Sequence, residues 1–171
     1  SMKTSVDLVE GFGFEAGYHT HHFINTPGKS ACILHDALLL VTDHKINLVE
    51  QIYPVLELAA RANKPLAIIS PEIEDQAMAA LILNQKKNTM QIAAIKAPAY
   101  GEERTQILED LATATGAIFF SKTSETHPRD AKLTDLGTCS KIEVLKHMTT
   151  IVSGGGHPEA ISARIEQLKD E

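Results

Sequence analysis

What is missing narrows the field first. The chain of 171 residues has two cysteines, Cys32 and Cys139, far apart and outside any CxxC pair. That pattern makes no disulfide framework and suggests no structural zinc, so both are expected to be reduced thiols of a cytosolic protein. No apolar run approaches the ~18 residues of a membrane-crossing helix. No secretory leader is visible. The formal charge is −6, the wrong sign for a nucleic-acid binder, which is usually basic. Catalytic signatures are missing too. Ser70 and Ser153 lack the GxSxG frame of a nucleophile elbow. Gly154-Gly155-Gly156 lacks the lysine and spacing of a phosphate loop, so it reads as a turn. Cys139 lies in no catalytic motif and reads as core packing or a neutral surface residue. Glu102, Glu103, Glu109 and Asp110 read as acids of a helix beginning, where they complement the dipole. They are expected to be structural.

What is present is an ordinary globular composition, 43% apolar, long enough for one domain with a real core. Short apolar runs at 32–35, 38–42, 66–69, 92–96 and 117–120 read as strands. Helices are expected from Tyr53 or Pro54 to near Asn63, over 74–85, and over 102–115 with Gly116 as the C-terminal cap. Residues 46–52 form a turn or a short separate helix. The opening, Val9-Glu10-Gly11-Phe12-Gly13-Phe14, suits an extended or hinge segment. A hairpin is expected at 141–146 and 149–152, and an amphipathic helix over 158–169. The repeated strand–helix rhythm argues for an α/β fold with a parallel-type core. Ser1-Met2 reads as a cloning scar, and a single domain is expected over 9–170.

Two of these helices carry the functional argument. Apolar residues crowd 53–60, and every position from Ala77 to Leu83 is apolar. At about 100° per residue that run covers the whole circumference. A surface helix normally shows one apolar stripe. Either the helices are buried all round, or a second apolar face is open for a protein partner. Met78 suits such a surface, since a flexible thioether adapts to varied contacts.

The segments VEGFGFEAGYHTHHFIN, LLLVTDHKI, YPVLELAARANKPLAIIS, AALILN, AAIKAPAYGEERTQILEDLATATG, LTDLG and MTTIVSGGG occur in this order. In these the chain resembles the apical domain of bacterial-type (group I, GroEL-type) chaperonins over nearly its whole length. The resemblance implies a layered α/β/α domain, a mixed sheet with flanking helices. It implies binding of non-native polypeptides and of a lid cochaperonin. The residues it assigns to that contact are Tyr18, His22 and Phe23 on an extended segment, Tyr53, Leu56 and Glu57 on the first helix, and Gln76, Met78, Ile82, Leu83 and Lys87 on or beyond the second. Ala77 and Leu81 would be the buried partners of that second helix. Gly11 would be a hinge. The equatorial ATPase domain, with its ATP and Mg, lies outside this sequence. The fragment is therefore expected to be a non-enzyme without cofactors, a monomer where the full-length protein forms heptameric rings, in the cytoplasm. The chain departs from the family at His21 and His22, where a proline and an aromatic are usual. It departs also at Tyr53 and Met78, where leucine is usual, and at Gln76, where an acid is usual. These departures fall on the contact surface, as in a divergent relative.

His19, His21 and His22 could suggest a metal site, but no supporting carboxylate or cysteine is evident, and a solvated or partner-facing cluster is the expectation. Protonation of His22 is expected to weaken apolar binding. The rival reading is a small α/β enzyme, whose ligand would sit at strand carboxyl ends. Those ends, Ser70-Pro71 and Ala97-Pro98, show little polar convergence in sequence. A non-folding protein-binding module is the other alternative.

Overall fold

The computed structural model describes residues 11–87 and 90–152. The expected turn at 154–156, the helix over 158–169, Val9 and Ser153 lie outside the described residues. The protein is α/β, and the described residues form a seven-stranded mixed sheet and three α-helices. The strands are β1 (Gly11–Phe14), β2 (Cys32–Thr42), β3 (Leu66–Ser70), β4 (Ile92–Lys96), β5 (Phe119–Phe120), β6 (Gly137–Val144) and β7 (Thr149–Val152). The helices are α1 (Tyr53–Ala62), α2 (Asp75–Lys86) and α3 (Gly101–Thr115). Along the sheet the order is β1-β7-β6-β2-β3-β4, with β5 also paired to β2.

The core of the sheet is parallel: β2, β3 and β4 run side by side, and β5 joins the far end of β2. The other wing is antiparallel, β2 to β6, β6 to β7 and β7 to β1. The rhythm of strand and helix thus accounts for only half of the sheet. Residues 66–69 and 92–95 are buried at both parities, so both faces of these strands are covered. The crossovers through α1 and α2 move in one direction along the sheet, and the crossover through α3 reverses. Parallel crossovers are right-handed, so α1 and α2 share one face and α3 takes the other.

The helix ends follow local chemistry. Pro54 fits the first turn of α1, where its missing N–H costs nothing. Asn63 ends α1 in the left-handed region at φ 57°, which asparagine tolerates. Gly116 ends α3 at φ 80°, a conformation that favours glycine. Two sequence readings are corrected here. The runs 32–35 and 38–42 form a single strand, with Asp36 at φ 55° inside it. The 117–120 strand shrinks to Phe119–Phe120. Asp110 is also not at a helix beginning: it is buried in the middle of α3, accepting a hydrogen bond from Gln106 Nε2 at 3.0 Å. Gly11, expected as a hinge, opens β1 opposite Val152 and is buried.

Candidate functional site

The candidate site is assembled on one face and one edge of the sheet. Residues 17–19 run along the free edge of β4. The Lys96 N–H donates to the Gly17 carbonyl at 2.8 Å, and the His19 N–H donates to the Ala94 carbonyl at 2.8 Å. Gly17 is obligatory for this course, since a Cβ there would collide with the Leu145 and Lys146 carbonyl groups. The chain then turns through a 3-10 helix at His21–Phe23, capped by Thr20, and packs against α2. The extended segment and α2 are therefore neighbours. Consecutive same-face crossovers place α1 beside α2.

The assigned contact residues divide into three groups. Tyr53 and Leu83 are 53% and 54% exposed, and His22, Glu57, Gln76 and Lys87 are exposed beside them in the chain's outer surface. Tyr18, Met78 and Ile82 are half-buried and pack on the core. Phe23 and Leu56 are not surface residues at all, at 0% and 4% exposure. Both expectations are corrected: Phe23 plugs the core beneath its 3-10 turn, and Leu56 belongs to the inward stripe of α1 with Val55 and Ala59. Ala77 and Leu81 are the fully buried residues of α2, as expected.

The exposed surfaces of the two helices differ in kind. On α1 the outward positions are Glu57, Ala60 and Arg61, with Tyr53 at the start. On α2 the outward positions are Asp75, Gln76, Ala79, Leu83 and Lys86, which fall within about 100° of one another on a helical wheel. The half-buried Ile82 and Met78 lie to one side of them. Ala79 and Leu83 thus make a short apolar strip between polar ends on the outer face of α2. Tyr53 opens α1 while Leu83 lies near the end of α2. Both helices run back against the parallel strands, so these two residues lie toward opposite ends of the face.

The histidines do not converge. His19 is half-buried, and its Nε2 donates to the Ser70 carbonyl at 3.0 Å. Burial, above all, pushes its pKa below the ordinary value, and the Lys96 charge adds to that. His21 and His22 stack with ring centroids 4.5 Å apart. Among the described residues no group of three or more His, Cys, Asp or Glu side chains could hold a metal ion. Cys32 and Cys139 are buried, and burial pushes both thiols up to about 12. The Ser70 hydroxyl is buried without a hydrogen-bond partner, and His19 meets its carbonyl instead.

Three features escaped the sequence reading. Leu48 stands 47% exposed ahead of α1; a lone leucine in a turn carries no periodic signal. A cleft of about 670 Å³ opens at the carboxyl end of β3, with Glu72, Glu74, Asp75 and Gln76 in its wall. Polar groups therefore do converge at that strand end, against expectation. Lys45 occupies two of them, at 2.8 Å from Glu74 and 3.8 Å from Glu72. The third is an imidazole pair, His44 and His127, with centroids 4.6 Å apart. Among the described residues no helix is long and apolar enough to cross a membrane. No model of a known protein family matches the chain.

Proposed function

We propose that this chain is a protein-binding module of the chaperonin apical type, which captures non-native polypeptides on the surface made by α2, the start of α1 and the segment carrying Tyr18 and His22. The observation that carries the reading is the strip on α2, where Leu83 is half exposed one turn after Ala79, with the half-buried Ile82 to one side. Fully burying one large apolar side chain contributes on the order of 1.5–3 kcal/mol, so a half-exposed one offers about half of that to a partner. Several such contacts, without a demanding hydrogen-bond pattern, hold an unfolded chain and tolerate its sequence. In a longer protein with an ATP- and Mg-dependent equatorial domain, a lid cochaperonin would compete for the same strip, and rotation of the domain would release the client. The setting is a ring-forming folding machine of the cytoplasm, and no chemistry is assigned to this part of it.

The test uses a permanently unfolded, reduced and alkylated protein carrying a fluorescent label. Leu83→Glu should weaken its binding about tenfold, the loss typical of a contact hot spot, with an unchanged native far-UV spectrum. Equal affinity in the folded variant overturns the reading. Loss of the native spectrum also overturns it, because Leu83 would then be core.

A further inference from the structure

A second cleft, of about 410 Å³, lies beside the first site at the covered edge of β4. Three separate pieces of chain wall it. The edge segment contributes Tyr18, His19, Thr20 and His21, the end of β4 contributes Lys96, and the β6–β7 turn contributes Lys146 and His147. Every ionisable wall group other than the Tyr18 phenol is a base, on a chain whose formal charge is −6. The two lysines are exposed. Among the described residues neither has a carboxylate within ion-pair distance; the ion pairs there involve Lys45 and Lys64. The acid nearest in effect is Glu72, whose field reaches His19 and which Lys45 already partners.

The walls are fixed rather than loosely hung. The edge segment is pinned to β4 by the Lys96-to-Gly17 and His19-to-Ala94 backbone bonds. It is pinned to the hairpin turn by the Tyr18 N–H, which donates to the Leu145 carbonyl at 3.2 Å. Gly17 lies so close to that turn that no side chain fits between them. The backbone that carries the lysines is thus fixed around a preformed opening, which reduces the ordering cost of binding.

We propose that this cleft binds the carboxylates of an acidic peptide segment. Two ammonium groups and the Tyr18 hydroxyl can donate to carboxylate oxygens, while the Thr20 hydroxyl is engaged by His22 Nδ1 at 2.8 Å. The net negative field of the whole chain disfavours a long polyanion such as nucleic acid, but a short run of glutamates meets only the local positive patch. An open cleft of about 410 Å³ walled by three pieces of chain has room for more than one carboxylate, which favours a peptide over a free small anion. The inference does not depend on the reading of α2, because no residue of the strip takes part.

The measurement is fluorescence anisotropy of a labelled oligoglutamate peptide against the 171-residue chain at low salt, with an oligoglutamine peptide and inorganic phosphate as comparisons. The glutamate peptide should bind and the glutamine peptide should not. Lys96→Gln with Lys146→Gln should weaken binding about fivefold, the combined effect expected of exposed charge contacts, while Lys132→Gln leaves it unchanged. Amide shifts on titration should centre on Tyr18, Lys96 and His147. Lys146→Glu, at an exposed position that leaves the fold intact, should lose the glutamate peptide too. Undiminished binding in the double variant overturns the proposal, as does equal binding of the glutamine peptide. Phosphate binding tighter than the peptide replaces it with a small-anion site.

Discussion

α1 and α2 lie on the same face of the same sheet, connect consecutive parallel strands, and are rich in the same small and branched apolar residues. They dispose of that apolar surface in opposite ways. In α1 the buried residues Val55, Leu56 and Ala59 fall within about 100° of arc, and Glu57 and Arg61 hold the far side. In α2 only Ala77 and Leu81 are buried, and the remaining apolar residues are spread around the other two-thirds of the wheel. The number of apolar residues is therefore a poor guide to a binding surface. Their distribution around the axis decides which helix closes one inward stripe and which leaves apolar side chains facing outward.

The sharpest way to break that contrast is to truncate the residues expected on the contact surface that the structure places inside. Phe23→Ala should lower stability by about 3–5 kcal/mol and Leu56→Ala by about 2–5 kcal/mol, the cost of removing buried apolar volume. Urea unfolding followed by circular dichroism measures both. A loss below about 0.5 kcal/mol, the scale of a surface substitution, would return these side chains to the contact surface. His22→Ala, one residue from Phe23 and exposed, should stay within that smaller range.

Phe23 and Leu56 also show where the sequence was legible and where it was not. Helix positions were readable because Pro54, Gly116 and the acids of the first turns mark ends through local chemistry. The parallel strands were readable because burial on both faces demands continuous apolar runs. The inward side of α2 was not readable from its pattern, apolar at every position from Ala77 to Leu83; the resemblance alone pointed to Ala77 and Leu81. The antiparallel wing was less legible: the strand expected at 141–146 runs over Gly137–Val144, its start fixed by pairing with β2. The orientation of a particular side chain was least legible. An extended segment of residues 18–23 would put His22 and Phe23 on alternate faces, but the 3-10 turn at His21–Phe23 sends Phe23 into the core. The basic cleft was invisible, because Tyr18, Lys96 and Lys146 meet only through β4 and a hairpin turn distant in sequence.

A smaller effect separates the two helices through their histidines. His19 lies on the α2 side, and its folded pKa is held below the ordinary 6.5 mainly by burial. His127 lies by the 3-10 turn at Pro128–Asp130, which packs against α1. Its pKa is lowered by burial, then by the charges of His44 and Arg129. In each case the unfolded chain takes up its proton first as the pH drops. The stability these groups provide is thus intact above about pH 6.5 and is lost as pH falls below it toward the folded value. Urea midpoints should decline between about pH 7.5 and about pH 5.5, the range in which histidine titrates. His19→Gln should flatten that decline, and a midpoint that rises on acidification would reverse the assigned direction.

The least costly substitutions test the contrast most directly. Leu83→Ala and Tyr53→Ala remove the exposed apolar side chains of α2 and α1, and each should change stability by less than about 0.5 kcal/mol. Their effects on an apolar dye such as ANS should differ. Leu83 follows the exposed Ala79 by one turn, with Ile82 to one side, so its loss removes most of that strip. Tyr53 stands alone at the start of α1, ahead of Glu57, so its loss removes one ring from an otherwise polar face. Dye fluorescence of the folded protein should therefore fall clearly in Leu83→Ala and little in Tyr53→Ala. Equal falls would mean that both helices contribute alike to one surface, and the distinction between a structural α1 and a binding α2 would be lost.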